Sequence, residues 1–596
     1  MKLPNLHLLL SRSLVCAVFA FTIAFTITFT VALTACSNVQ PADSGASELT
    51  MAMDDYWQHS LEQDTFVAGS SHPYITKAQL PDLSPDALAA HQAFYQALLQ
   101  RTKAIANQGL SAEERTSKAL LIYELNNRLD KYRFGEHLTP FTSEGGFWIN
   151  IGRLPSRLDT TIDGDLAIYL KALKQSPLYI QQQIYWLEQG LAQGITHPQT
   201  AIGHTLQTIA SVSQPEHYLQ PLAHLDKHSE QYLAAKATIN NELIPALQAL
   251  HWFMAERYLP NARPSIGLNQ LPNGKAWYQN RVTHFVTKPI TPQEVHALGL
   301  SEMDRIQQAM QAILAELNFD GSLAEFLDFL RSDPQFYATS EAQLLKEAAH
   351  YAKRADGILP SLFNTLPRRP YSVEPVPAAI APNYTTGRYY SPPGKHSAGQ
   401  YWVNTYNLPK RPLYELPALT LHEAVPGHHL QISLSQEKTD LPTFRREGYI
   451  SAFGEGWALY CEYLGEEVGF YQTPYERFGR LIYESWRAAR LVVDTGLHWS
   501  GWSREQAMDY MAANTGLSLH NVQTEVDRYI TWPGQALSYK MGELTIRQLR
   551  EKAQRALADD FDIKDFHDAL LAKGAITLDE MAKVVDGYIT QVNTNE

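Results

Sequence analysis

The sequence predicts a mainly α fold, and three features carry that prediction. Apolar residues recur at helical spacing through most of residues 54–362. Helix-start signals stand repeatedly before such runs. Strand character is confined to one short stretch. A chain of 596 residues, 45% hydrophobic, is long enough to bury a large core. It matches neither collagen, nor a disulfide knot, nor a disordered chain.

The elements follow in order. Lys2 and Arg12 lie in a short basic segment, then an uncharged run from Ser13 to Ala35 ends in Leu33-Thr34-Ala35-Cys36. That ending resembles a bacterial lipobox, so residues 1–35 are expected to be a signal peptide and Cys36 the lipidated first residue of the mature chain. The competing reading is a membrane-spanning helix, since the run is long enough to cross about 30 Å of hydrocarbon. Ser37, where an Asp would retain a lipoprotein at the inner membrane, resembles the pattern of outer-membrane lipoproteins facing the periplasm. Small polar residues predict a flexible tether over 36–53. An N-terminal helical region is expected over 54–365 and a C-terminal, catalytic-like region over 366–596.

Helix starts are predicted at Ser84-Pro85 and at the Ser/Thr-x-x-Glu/Gln boxes opening with Ser111, Thr291, Ser340, Ser503 and Thr577. Residues 366–412 are rich in Pro, Tyr and Gly, and Gln400 to Tyr406 have strand propensity. A short strand there, beside a helical site, is suited to pair with an extended peptide. No fixed-period repeat argues for a solenoid.

Charge and cysteines narrow the function. Lys and Arg number 49 against 62 Asp and Glu, a net charge of −13, and no basic run interrupts it. Nucleic acid is therefore a poor partner. Of the three cysteines, Cys16 leaves with the signal, Cys36 carries lipid and Cys461 has no partner. No disulfide forms within one mature chain. A serine or cysteine hydrolase is disfavoured, for there is no G-x-S-x-G elbow and Cys461 sits in an apolar helical context.

The chemistry concentrates in Leu421-His422-Glu423-Ala424-Val425-Pro426-Gly427-His428-His429. In an H-E-x-x-H helix two His four residues apart face one zinc, with the Glu beside it. Here the spacing is six. A regular helix would turn about 600° and rise about 9 Å between His422 and His428, too far for a shared ion. Pro426-Gly427 is where a distortion is expected, and a bulge that absorbs two residues brings His428 to the second ligand position, with His429 as the alternative. A third ligand is expected from Gly454-Glu455-Gly456-Trp457, where an acid between glycines has little packing purpose. Glu455 is that candidate.

These blocks, with Arg490 to His498 and Arg528 to Gly542, resemble the bacterial family catalogued as domain of unknown function eight-eight-five. The likeness is strongest from about Tyr389 to Lys552. That family is similar, more remotely, to helical zinc peptidases such as angiotensin-converting enzyme, thimet oligopeptidase and carboxypeptidase Taq. The resemblance implies a helical body with a deep channel, zinc held by His422, His428 and Glu455, and Glu423 as general base. It implies an oxyanion donor on a later helix: Tyr539 first, then Tyr529 and His498. Asp494 is a candidate to orient a ligand His, and Arg528, Tyr529 and Lys540 to bind substrate, the two cations through its carboxylate. The expected function is hydrolysis of short peptides at the cell envelope. The rival is a non-catalytic peptide-binding or scaffold lipoprotein with a degenerate metal site, which the altered spacing makes credible.

Overall fold

A computed structural model describes residues 44–63, 80–378, 380–391 and 398–594. The expected signal peptide and Cys36 lie outside these residues. Among the described residues no helix is long and apolar enough to cross a membrane.

The chain is 73% helical with only small sheets, as the apolar periodicity predicts. Helix α1 (Ser44–Gln63) corrects the expected tether: Leu49, Ala52, Met53 and Tyr56, spaced for one helix face, are buried against α2 (Pro85–Ala104) and α3 (Ala112–Phe134). Residues 44–53 are therefore helix rather than tether. The predicted caps form. Ser84 accepts from the Ala87 amide, Ser111, Thr291 and Ser503 close capping boxes, and Ser340 and Thr577 cap through Gln343 and Glu580. One hydrophobic cluster runs from Leu49 to Tyr588, so the core is continuous across the boundary expected at residue 365.

The site is framed by elements from both sides of that boundary. They are α4 (Pro292–Glu316), α5 (Glu341–Leu362), β1 (Tyr371–Pro375), β2 (Gly387–Tyr390) and β3 (Gly399–Val403). After them come α6 (Leu416–Glu423), α7 (His428–Glu437), α8 (Ser451–Glu467), α9 (Pro474–Thr495), α10 (Leu519–Thr531) and α11 (Ser538–Leu557). Helix α4 packs along α9, and α8 along α11. The second pair approaches closely because both crossing residues are glycines. A Cβ on Gly456 would stand 2.5 Å from the Gly542 Cα.

The sheet order is β1-β3-β2, with β3 parallel to β1 and antiparallel to β2. The predicted strand is thus real, but it is the central one, hydrogen-bonded on both sides. It has no free edge for a peptide, which corrects that expectation. Gly387, Tyr389, Tyr401 and Val403 face inward and are buried, while Arg388 and Tyr390 face outward.

Candidate metal centre

The backbone between the two histidines does more than bulge. Helix α6 ends at Glu423, residues 424–427 turn, and α7 starts afresh at His428. The expected single distorted helix is therefore two helices. Gly427 makes the turn possible, because a Cβ there would lie 1.9 Å from the His422 carbonyl oxygen. Trp457 of α8 donates to the Pro426 carbonyl at 2.8 Å, tying the turn to the helix that carries Glu455.

The break brings the imidazoles together. Their ring centroids are 4.8 Å apart. Glu455 Oε2 stands 3.6 Å from His422 Nε2 and 3.4 Å from His428 Nε2. One ligand atom from each residue lies within 4.8 Å of the others. Tetrahedral zinc with bonds of about 2.0–2.2 Å separates its ligand atoms by about 3.3 Å, so the three donors need only small adjustments to hold one ion.

Neighbouring groups fix these donors. His422 Nδ1 meets Glu462 Oε1 at 2.8 Å, the carboxylate–histidine pairing that orients metal-binding imidazoles. Glu462 follows Glu455 by two turns of α8, a spacing legible in the sequence. Tyr449 donates to Glu455 Oε1 at 2.9 Å, which leaves Oε2 toward the histidines. Its ring lies against Gly454, where a Cβ would stand 2.5 Å away. Sequence reasoning missed Tyr449, and the glycine before Glu455 was its signal. Glu423 accepts from the Tyr389 amide of β2 at 2.7 Å.

Three carboxylates, of Glu423, Glu455 and Glu462, thus share one buried region. Arg487, 3.8 Å from Glu462, is the only Lys or Arg within ion-pair reach of any of them among the described residues. Burial opposes a charge on His422, but the carboxylates of Glu455, Glu462 and Glu423 raise its pKa to about 9. Burial likewise opposes ionisation of Glu455, yet His428 and His422 hold its carboxyl well below the ordinary value. The donor set and its surplus negative charge fit a divalent cation.

His429 is turned away. Its Nε2 donates to the Arg369 carbonyl at 3.0 Å and its Nδ1 accepts from the Tyr389 hydroxyl at 3.1 Å. Burial pushes its pKa down to about 4. His428 is the imidazole that meets His422 and Glu455.

Four expected roles need correction. His498 is fully buried, accepting from the Leu268 amide and donating to the Tyr529 carbonyl, so neither nitrogen is available to a substrate. Asp494 accepts from the Tyr278 hydroxyl and the Gly534 amide rather than from a ligand His. Tyr529 is 1% exposed, and its hydroxyl donates to Glu525 while accepting from Arg490 and Trp486. Lys540 is fully buried, 2.8–2.9 Å from Glu302, Glu484 and Glu543. Each looked available because a sequence does not show which polar groups already have partners.

Arg528 is largely satisfied by Glu525 and Gln535, with Glu144 at 3.7 Å. Tyr539 differs. It is half-buried, its ring lies under the Arg490 guanidinium at 4.2 Å, and its hydroxyl makes no hydrogen bond among the described residues. It lies near Tyr449 and Arg388, both at the site.

Residues 64–585 match the family described as bacterial protein of unknown function, DUF885. The chain belongs to that family. This DUF885 protein is also similar to two solved structures. One, described as a candidate lipoprotein from Colwellia psychrerythraea, is 28% identical, with a TM-score of 0.82 over 92% of this chain and 99% of that one. The other, a candidate lipoprotein of unknown function from Shewanella oneidensis, is 17% identical, with a TM-score of 0.74 over 91% and 99% of the two chains. No curated protein matches the sequence.

Proposed function

We propose that this DUF885 protein is a metal-dependent peptidase, lipid-anchored through Cys36 in the bacterial envelope and facing the periplasm from the outer membrane. The observation that carries the reading is the meeting of His422, His428 and Glu455 beside Glu423, with Glu462 behind His422. The Leu33-Thr34-Ala35-Cys36 ending and the lipoprotein descriptions of both similar structures support the anchor.

His422, His428 and Glu455 would hold a zinc ion, which would supply the Lewis acidity that acidifies water and polarises a peptide carbonyl. The chain's own groups do the rest. Glu423, with one oxygen held by the Tyr389 amide, uses the other to take the proton of the attacking water and pass it to the leaving amine. The uncommitted hydroxyl of Tyr539 donates to the carbonyl oxygen as negative charge builds there. Near-complete burial of His422, His428 and Glu423 keeps bulk water from these groups.

The test is digestion of a mixed peptide library by the zinc-loaded mature protein, read by mass spectrometry. The expected result is cleavage that a chelator abolishes and that Glu423→Gln lowers by about 10²- to 10⁴-fold with metal retained. No cleavage, or full activity in E423Q, would overturn the reading in favour of a non-catalytic peptide-binding lipoprotein.

A further inference from the structure

Tyr539 lies near three arginines, Arg388, Arg490 and Arg528. Two of them are committed. Arg490 Nη2 is 3.0 Å from Glu525, and Arg528 Nη1 is 3.4 Å from the same carboxylate. Arg388 has no carboxylate within ion-pair distance among the described residues. It is exposed on the outward face of β2, its guanidinium over the Tyr384 ring at 5.7 Å. Glu423 and Glu144 are the acids that bear on it. The residue after it, Tyr389, supplies the amide that holds Glu423. The general base and a guanidinium without an ion pair are thus fixed to one edge strand. An exposed guanidinium beside the general base, with no carboxylate in ion-pair contact among the described residues, is suited to take an anionic ligand.

We infer that Arg388 receives the free C-terminal carboxylate of a short peptide whose scissile bond lies at Glu423, so that the protein acts as a carboxypeptidase. The inference rests on the proposed function. It moves the carboxylate-binding role expected of Arg528 and Lys540 to a residue with no carboxylate in ion-pair contact among the described residues. A planar guanidinium takes a carboxylate through two parallel N–H donors, which a peptide amide cannot match. An internal peptide bond would leave Arg388 unused.

The experiment compares N-benzoyl-Gly-Phe with its C-terminal amide, using zinc-loaded wild type, Arg388→Gln and Arg388→Lys. Both kcat/KM and Kd, the latter by calorimetry, are measured for each probe. Wild type should favour the acid, and R388Q should lose about 10- to 100-fold on the acid and almost nothing on the amide. R388K should recover part of the loss. Arg388 is exposed, so R388Q should keep the wild-type thermal midpoint. Equal handling of acid and amide, or a preference that survives in R388Q, overturns the inference whether or not peptides are cleaved. Absence of turnover with an Arg388-dependent preference in Kd removes the hydrolase reading and keeps the carboxylate site.

Discussion

Two clusters of buried charge lie on neighbouring helices, and they differ in balance. Around Lys540, four cations (Lys540, Arg305, Arg480 and Arg547) meet four carboxylates (Glu302, Glu466, Glu484 and Glu543). Around His422, three carboxylates share one arginine at 3.8 Å and two imidazoles. The first cluster is complete as folded and ties α4, α9 and α11 together. The second reaches balance only with protons or a cation. Buried charge therefore marks function by its imbalance, since a balanced network explains itself as structure.

The largest effect that sharpens this contrast belongs to the balanced side. Lys540→Met leaves three carboxylates buried together without their shared ammonium, and should cost about 3–5 kcal/mol of stability in denaturant unfolding. Zinc binding by the fraction that stays folded should be unchanged. A mild effect would show that water or protonation already relieves the network.

Glu462→Gln acts on the unbalanced side. It removes a charge from the surplus and the acceptor that orients His422, so metal affinity should fall by about 10- to 100-fold, read by competition with a chelating dye. Stability of the metal-free protein should change little or rise. Unaltered affinity would detach Glu462 from the site.

The smallest effect concerns His498, a buried imidazole with neutral partners. Burial pushes its pKa down to about 3, so it stays neutral in the fold while the unfolded chain takes up a proton below about 6.5. Its stabilising contribution is present above that value and is lost as pH falls toward 3. Between pH 7.5 and 5 the loss is about 2 kcal/mol. His498→Gln should flatten the pH dependence of unfolding by that amount and leave metal content alone. An unchanged slope would place the titration elsewhere.

The sequence made the helices legible because caps are local: Ser111, Thr291 and Ser503 bond only their own first turns. The meeting of His422, His428 and Glu455 was legible for a related reason, since Pro426-Gly427 and the glycines around Glu455 advertise backbone that cannot be regular or padded. What stayed hidden depends on distant partners. Nothing near Lys540 in the chain announces Glu302, 238 positions earlier, and nothing near His498 announces the Leu268 amide. The tether failed for another reason. Its small polar residues mask the Leu49, Ala52, Met53 and Tyr56 stripe that docks α1.

Metal content decides whether the buried carboxylates around His422 are balanced by a cation. Titration of the purified, chelator-stripped mature protein with zinc, followed by elemental analysis, should give about one ion per chain in wild type and none in His422→Ala or Glu455→Ala. Wild type that takes up no stoichiometric metal, or variants that bind it as well as wild type, would contradict the account.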